Sequence, residues 1–462
     1  MMRKFLYITI SAIILCGCRV YNKYERPEDI NVASAYRTPE GISNSPSEKN
    51  IGNLAWTDIY TDQKLQDLIN YGLSNNTDLL IAVEKINEAK ASLTSARLSF
   101  LPSISLTPEI SASGFENSSV SWSYNASASA SWEIDLFGKL LNSKRKAQIA
   151  LLQNKEYKQA VRTQLIATIA DYYFTLTALD KQLVIYTITE QSWAESVKTI
   201  KDMKEGGMTT EAAVAQYEAY HASIAAAIPD VKAEIMKQEN ALATLLGDFP
   251  RSIARNSIDA QKCDIPLEIG VPVELLSNRP DVKNAEYQLA AMFYNTNIAR
   301  SSFYPQLSIG GSVGWTNSIG AAITNPGSLI MSALASLTQP IFNRGANVTK
   351  LKIAKAQEEQ AKLTFKQTLL DAGREVSNAL AVYNAELKKE SQRAIQIEKL
   401  SNAVRYTKEL LTLGSSTYIE VLDAQQSFLS AQLTKTDDQL KKLNAITSLY
   451  HALGGGREIE EE

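Results

Sequence analysis

The sequence predicts a mainly α-helical protein that carries a transmembrane β portion, and three observations predict it. A ribbon from Ser121 to Trp132 alternates apolar and small polar residues without a break. Two proline-free stretches, Gly138 to Gly206 and Gly345 to Gly414, are long enough for helices of roughly 100 Å at about 1.5 Å per residue. The order helix, strand, strand, long helix, helix occurs twice in the 462 residues.

The N-terminus reads as an export signal. Arg3 and Lys4 precede an apolar run from Phe5 to Leu15, too short to span a bilayer as a helix, which needs about 20 residues. It ends in Leu15-Cys16-Gly17-Cys18, the pattern of a bacterial lipobox. Residues 1–17 form the signal, and Cys18 becomes the lipidated first residue of the mature chain. Cys263 is then the only thiol left, so no intrachain disulfide is available. Net charge is −3, or −5 once Arg3 and Lys4 are removed, and no basic patch points to nucleic acid.

Residues 18–55 are polar, with Pro27, Pro39 and Pro46, and read as an extended lipidated arm that spaces the anchor from the body. The first repeat covers 56–255. Helical periodicity starts at Trp56, pauses at the capping sequence Asn75-Asn76-Thr77-Asp78, and runs to about Phe100, where Pro102 stops it. Ile104, Leu106 and Ile110 then alternate with polar residues as a strand. The ribbon follows as its hairpin partner. Trp122, Tyr124, Ala126, Ala128, Ala130 and Trp132 fall on one face, with serines and Asn125 on the other. That fits a strand between lipid and water, and by itself fits equally a half-buried strand of a soluble sheet.

In the long helix, Ile169, Tyr172, Leu176, Leu179, Leu183 and Tyr186 recur at alternating 3 and 4, a heptad seam. Gly206-Gly207 breaks it. The next helix carries His221 on its seam as a packing residue, and Pro229 inside it predicts a kink. Residues 256–276 read as an irregular equatorial linker, 277–453 as the second repeat, and 454–462 as an acidic tail. Landmarks recur at nearly constant offset: Pro102 and Pro305 at 203, Phe137 and Phe342 at 205, Gly207 and Gly414 at 207.

Four strands with a lipid-facing side cannot close alone, because two open edges would leave backbone groups unpaired in hydrocarbon. Two chains would give eight strands around a plugged interior; three would give twelve and room for a channel. Seamed helices that need neighbours on both sides favour the larger ring.

Several stretches carry a resemblance: Tyr24 to Pro27, Trp132 to Gly138, Ile228-Pro229-Asp230 with Glu239 to Gly247, and Arg279 to Val282 with Ala285-Glu286. So do Ala299-Arg300 with Phe303 to Pro305, Gln339 to Phe342, and Glu420 to Gln425. In this order they resemble the TolC-like outer membrane efflux family, in its NodT- and CusC-like lipoprotein branch. The resemblance implies a homotrimer with a shared 12-stranded barrel in the outer membrane of a Gram-negative bacterium. An α-helical barrel would continue it through the periplasm to an adaptor and an RND-type inner-membrane pump. Exported small molecules would pass by passive conduction, with no cofactor beyond the lipid on Cys18 and no metal. Trp122, Tyr124, Trp132 and Trp315 become interfacial aromatics, and Gly206, Gly207 and Gly414 the helix-turn tips. Acidic residues at the positions of Glu420 and Asp423 line the constricted entrance in related channels. Six such carboxylates from three chains would repel one another and attract cations. Where some relatives place an Arg and a Tyr, this chain has Ser416 and Leu411, so their closing ties are not carried over.

Two other classes compete with this reading. A lipoprotein coiled coil that spaces the envelope without conducting explains the helices but not the duplicated strand pairs. An enzyme lacks support, with no nucleophile–base constellation, phosphate loop or metal spacing. A type I secretion outlet shares the architecture and differs in partners.

Overall fold

The structure, a computed structural model, describes residues 21, 23–27, 54–116, 120–262, 279–318 and 328–456. The signal segment, Cys18, Cys263, the rest of the linker and the acidic residues Glu458 to Glu462 lie outside them. Helices α1 (Trp56–Ile59), α2 (Gln63–Asn75) and α3 (Thr77–Leu98) precede strands β1 (Ser103–Ser113) and β2 (Ser121–Ile134). Then come α4 (Lys139–Glu205) and α5 (Glu211–Leu245). After a single 3-10 turn at Ile258–Ala260, the second copy runs α6 (Pro280–Ser301), β3 (Gln306–Ser318), β4 (Ser328–Thr338), α7 (Ala346–Thr412) and α8 (Tyr418–Ala452).

The duplication is metric. Helices α3 and α6 both have 22 residues and start 203 apart (280 − 77). Helices α4 and α7 both have 67 residues, α5 and α8 both have 35, and each pair starts 207 apart (346 − 139; 418 − 211). The drift of four residues therefore falls in the strands and their connections. Glycines with positive φ mark matching joints: Gly138 and Gly345, Gly207 and Gly414, Gly247 and Gly454. Phe137 and Phe342, at an offset of 205, lie within the stretch where this drift occurs. The left-handed backbone that opens each long helix falls on a glycine, Gly138 or Gly345.

Two compact units divide the chain, and they are not the two copies. One takes residues 1–30, 84–156 and 283–367; the other takes 31–83, 157–282 and 368–462. The divisions at 83/84, 156/157, 282/283 and 367/368 fall inside α3, α4, α6 and α7.

The first unit holds one antiparallel sheet in the order β1-β2-β3-β4. Register aligns whole rows across it. Ser105, Ser129, Ser312 and Ser332 form one row; the next, on the opposite face, is Leu106, Ala128, Val313 and Met331. Hydroxyls pair across the polar face at 2.8 Å for Ser105–Ser129 and Ser111–Ser123 and at 2.7 Å for Ser312–Ser332. Strand β2 passes so close to Gly314 that a Cβ there would lie 2.5 Å from the Ala126 carbonyl oxygen. The described part of the N-terminal arm makes contacts within the first unit. The Tyr24 ring meets Phe293 edge-on at 5.8 Å. Arg26 lies 5.4 Å from the centre of the Phe365 ring and 3.8 Å from Glu286.

The second unit packs helix against helix. Trp193, Ile200, Val214, Tyr217 and Ile224 form an apolar cluster with Leu422, each large side chain worth about 1.5–3 kcal/mol on burial. Pro229 lies inside α5 without ending it, since its missing N–H forfeits a single backbone bond. The start of the linker is irregular but tied down. Asp62 caps α2 at Lys64 N (2.9 Å) and accepts from Tyr173 Oη (2.6 Å), Gln261 Nε2 (2.7 Å) and Asn256 Nδ2 (2.9 Å). Burial alone would raise this carboxyl; the four bonds outweigh it and hold it below its ordinary range. Arg255 grips Asp180 through two nitrogens at 2.6 and 2.8 Å and Glu239 at 2.6 Å.

The two copies also share a cap. Asn76 Nδ2 donates to Leu245 O at 2.8 Å and Arg279 Nη1 to Ala452 O at 2.8 Å, so each reaches the last carbonyl of a 35-residue helix. Beyond Leu453 the fold continues. Gly456 N donates to Tyr450 Oη at 2.7 Å, and Gly456 O accepts from Gln159 and Arg162 at 3.0 and 3.1 Å. Gly454, Gly455 and Gly456, which the sequence reading placed at the start of the acidic tail, are buried.

Candidate functional site

Two regions carry the residues singled out from the sequence. The first is the sheet. Its apolar face is bare: Ile104, Leu106 and Ile110 are 80%, 75% and 72% exposed, a contiguous patch that calls for an apolar neighbour. Trp122 and Trp132 sit near opposite ends of β2, ten residues apart. At about 3.3 Å per residue and a tilt of about 40° that spacing subtends roughly 25 Å, the height of an outer-membrane apolar band. Trp132 Nε1 donates to Phe100 O at 2.9 Å, which fixes the indole at the strand's helix end. Tyr124 lies opposite Ile110, and Trp315 opposite Ala126, nearer mid-strand. The edges, β1 and β4, each have one neighbour. Among the described residues no helix is long and apolar enough to cross a membrane.

The second region is the pair of helix turns. In each, the long helix ends at a glycine with left-handed backbone, Gly207 (φ 75°) or Gly414 (φ 73°), where a side chain would be strained. A threonine then caps the next helix: Thr210 accepts from Ala213 N and Thr417 from Glu420 N. Gly206 is the residue just past α4. Beyond that the turns differ. In the first, Lys204 pairs with Glu211, and Lys201 with Glu218 at 2.6 Å, across the two helices. In the second, these positions are Leu411, Tyr418, Lys408 and Gln425, and Glu420 closes a reciprocal capping box with Thr417. Its Oε2 accepts from Ser416 Oγ and from Thr417 N at 3.2 Å. Those bonds, the Ser416 hydroxyl first, hold the carboxyl below its ordinary range. Asp423 lies three residues on and is exposed. The structure thus puts both carboxylates at one helix start and binds Glu420 to its own cap.

Three features escaped the sequence. Ser416, read as the loss of an Arg tie, is a donor to Glu420. His221 is not a bare packing residue: its Nε2 meets Glu190 Oε1 at 2.8 Å across α4 and α5. Tyr217 Oη donates to Tyr418 O at 3.2 Å, joining the start of α8 to the Trp193 cluster. Opposite charges seven and seventeen residues apart across Gly206-Gly207, Lys204 with Glu211 and Lys201 with Glu218, are the sequence signal that could have revealed the first turn's pairs.

Sheet, paired long helices and turns are matched by known proteins. The outer membrane efflux protein profile covers residues 68–248 and 271–455. The chain belongs to the outer membrane efflux protein family. It is similar to the cation efflux system protein CusC of Escherichia coli K12, 28% identical over 451 residues covering 96% of this chain and 98% of that protein. It is similar to the toluene efflux pump outer membrane protein TtgI of Pseudomonas putida, 27% identical over 99% of this chain and 100% of the other. The open-state structure of the Neisseria gonorrhoeae MtrE outer membrane channel superposes with a TM-score of 0.83 at 27% identity, covering 95% of this chain and 98% of that one. Fold and family make this an outer membrane efflux channel protein, in a family of channels rather than enzymes.

Proposed function

We propose that three copies assemble into the outer membrane channel of a tripartite, RND-type efflux system. It passively conducts exported small molecules received from a periplasmic adaptor and an inner-membrane pump. The observation that carries this reading is the sheet, with one bare apolar face, one serine face and two unpaired edges. Three such sheets joined edge to edge close a ring in which lipid meets the apolar face and water the hydroxyls. Cys18 anchors each chain by its lipid, and Trp122, Tyr124, Trp132 and Trp315 face the membrane. The α4–α5 and α7–α8 turns form the periplasmic mouth, where Glu420 and Asp423 of three chains make a cation-selective constriction. CusC and TtgI are named for different cargoes at 28% and 27% identity, so the pump, not this chain, sets the substrate.

Planar-bilayer recording on the purified full-length protein tests both levels. Wild type should conduct with a preference for cations, and Glu420→Ala with Asp423→Ala should lower that preference and enlarge the resting conductance. No conductance from any preparation would favour the non-conducting spacer. Conductance with unchanged cation preference in the double variant would remove these residues from the constriction.

A further inference from the structure

Of the strand junctions in the described sheet, two are copies of each other. Strand β1 meets β2 with Ser103 opposite Ser131, and β3 meets β4 with Gln306 opposite Thr338, at offsets of 203 (306 − 103) and 207 (338 − 131). A side-chain bond repeats with them. Trp132 Nε1 donates to Phe100 O and Gln339 Nε2 to Phe303 O, both at 2.9 Å. Strand β3 is therefore the counterpart of β1, and β4 that of β2.

The remaining junction, β2 with β3, has no counterpart among the described residues. Its counterpart would join a β4 to a β1, and both of these are free edges. Exposure points the same way. Ile134 and Leu307, opposite each other where β2 meets β3, are partly buried. The matching residues, Ile341 and Ile104, are 97% and 80% exposed.

We propose that β4 of one copy pairs antiparallel with β1 of a second copy in the register of β2 with β3, the two offsets applied to every row. This rests on the assembly proposed above and adds to it the residues that meet. Thr338, Ser336, Ala335 and Ala333 of one copy stand opposite Thr107, Glu109, Ile110 and Ala112 of the partner subunit. Alternation alone does not choose this register. A slip of one residue exchanges the faces, but a slip of two preserves them. The duplication selects one of the registers that alternation leaves. The chemistry agrees with it. The Ser336 hydroxyl comes beside the carboxylate of Glu109 of the partner subunit, and β4 brings no ionisable side chain against it. One row departs from the template. Ser111 stands where the close approach of β2 demands Gly314, so the seam is wider at that row.

Cysteine pairs in the full-length, detergent-purified protein test the register, with Cys263→Ser removing the remaining thiol. Opposed residues of antiparallel strands alternate between hydrogen-bonded pairs and closer, non-hydrogen-bonded ones. Two adjacent rows are therefore used: Ala335→Cys with Ile110→Cys, and Ser336→Cys with Glu109→Cys. On oxidation at least one of them should give covalent dimers and trimers on a non-reducing gel. That pair should react at least about tenfold faster than pairs two residues out of step, whose Cβ atoms lie beyond disulfide reach. The offset pairs are Ala335→Cys with Ala112→Cys, and Ser336→Cys with Thr107→Cys or Ser111→Cys. Faster cross-linking of an offset pair would overturn the register and leave the edge-to-edge ring standing. No intermolecular disulfide from any pair, in chains that keep the helical circular dichroism of wild type, would overturn the ring and the register with it.

Discussion

The two helix turns share a glycine in the left-handed region, a threonine cap and a spacing of 207 residues, yet they are held differently. The first is clamped from outside by Lys204–Glu211 and Lys201–Glu218. The second has lost both pairs and is held from within, by Ser416, Thr417 and Glu420 around one cap. At the position of Glu420 the first copy has Ala213, fully buried in the Trp193 cluster; at that of Asp423 it has Gln216. Duplication supplied the backbone twice, and the side chains then separated a strut from a charged, lightly fastened end. The carboxylates of the proposed constriction therefore come from one turn per chain.

The sharpest way to break the comparison is at the caps far from the turns. Arg279→Met removes the bond to the Ala452 carbonyl and two ion pairs whose carboxylates are nearly half-exposed, and should cost about 2–3 kcal/mol. Asn76→Ala, its counterpart, should cost only about 1 kcal/mol. Denaturant unfolding in detergent measures both, and equal losses would deny the copies their different fastenings. Next comes Ala213→Glu, which puts the second turn's carboxylate into the first turn's apolar cluster and should cost about 3 kcal/mol. Glu420→Ala, its mirror image, should leave the thermal midpoint nearly unmoved.

Asp171→Asn gives the first copy the residue of the second. The folded carboxyl titrates near 7, above its unfolded value, so its contribution is complete at low pH and is lost as pH rises from about 4 to 7. The Asn variant should match wild type near pH 4 and exceed it by up to about 4 kcal/mol at pH 8. A constant difference across that range would mean that Asp171 does not titrate as placed. The smallest effect is expected from a double-mutant cycle on Lys201 and Glu218, half-exposed and coupled by about 0.5 kcal/mol.

Periodicity made most of the fold legible. Period-two alternation located β1 and the ribbon, and the absence of proline set both long helices to within a residue of Lys139–Glu205 and Ala346–Thr412. What stayed hidden depends on contacts between distant segments. The four donors on Asp62 come from residues 64, 173, 256 and 261, and no local pattern brings them together. Asp171 sits beside the heptad seam like any solvated acid, and its burial is set by α7 and α8. For the proposed constriction, sequence gave the carboxylates, but the bonds on Glu420 come from Ser416 and Thr417, whose hydroxyl positions only the folded turn defines.

The single neighbour of β1 and of β4 has a genetic consequence. In the proposed trimer each protomer would complete its sheet with strands from two others, so a subunit with a damaged β4 edge would spoil the assembly that it joins. With equal amounts of intact and damaged chains mixing at random, roughly one trimer in eight would be fully intact. Alleles that break an edge should therefore be dominant, while alleles that merely prevent folding should be recessive. Inheritance in a partial diploid would then report on the closure of the barrel.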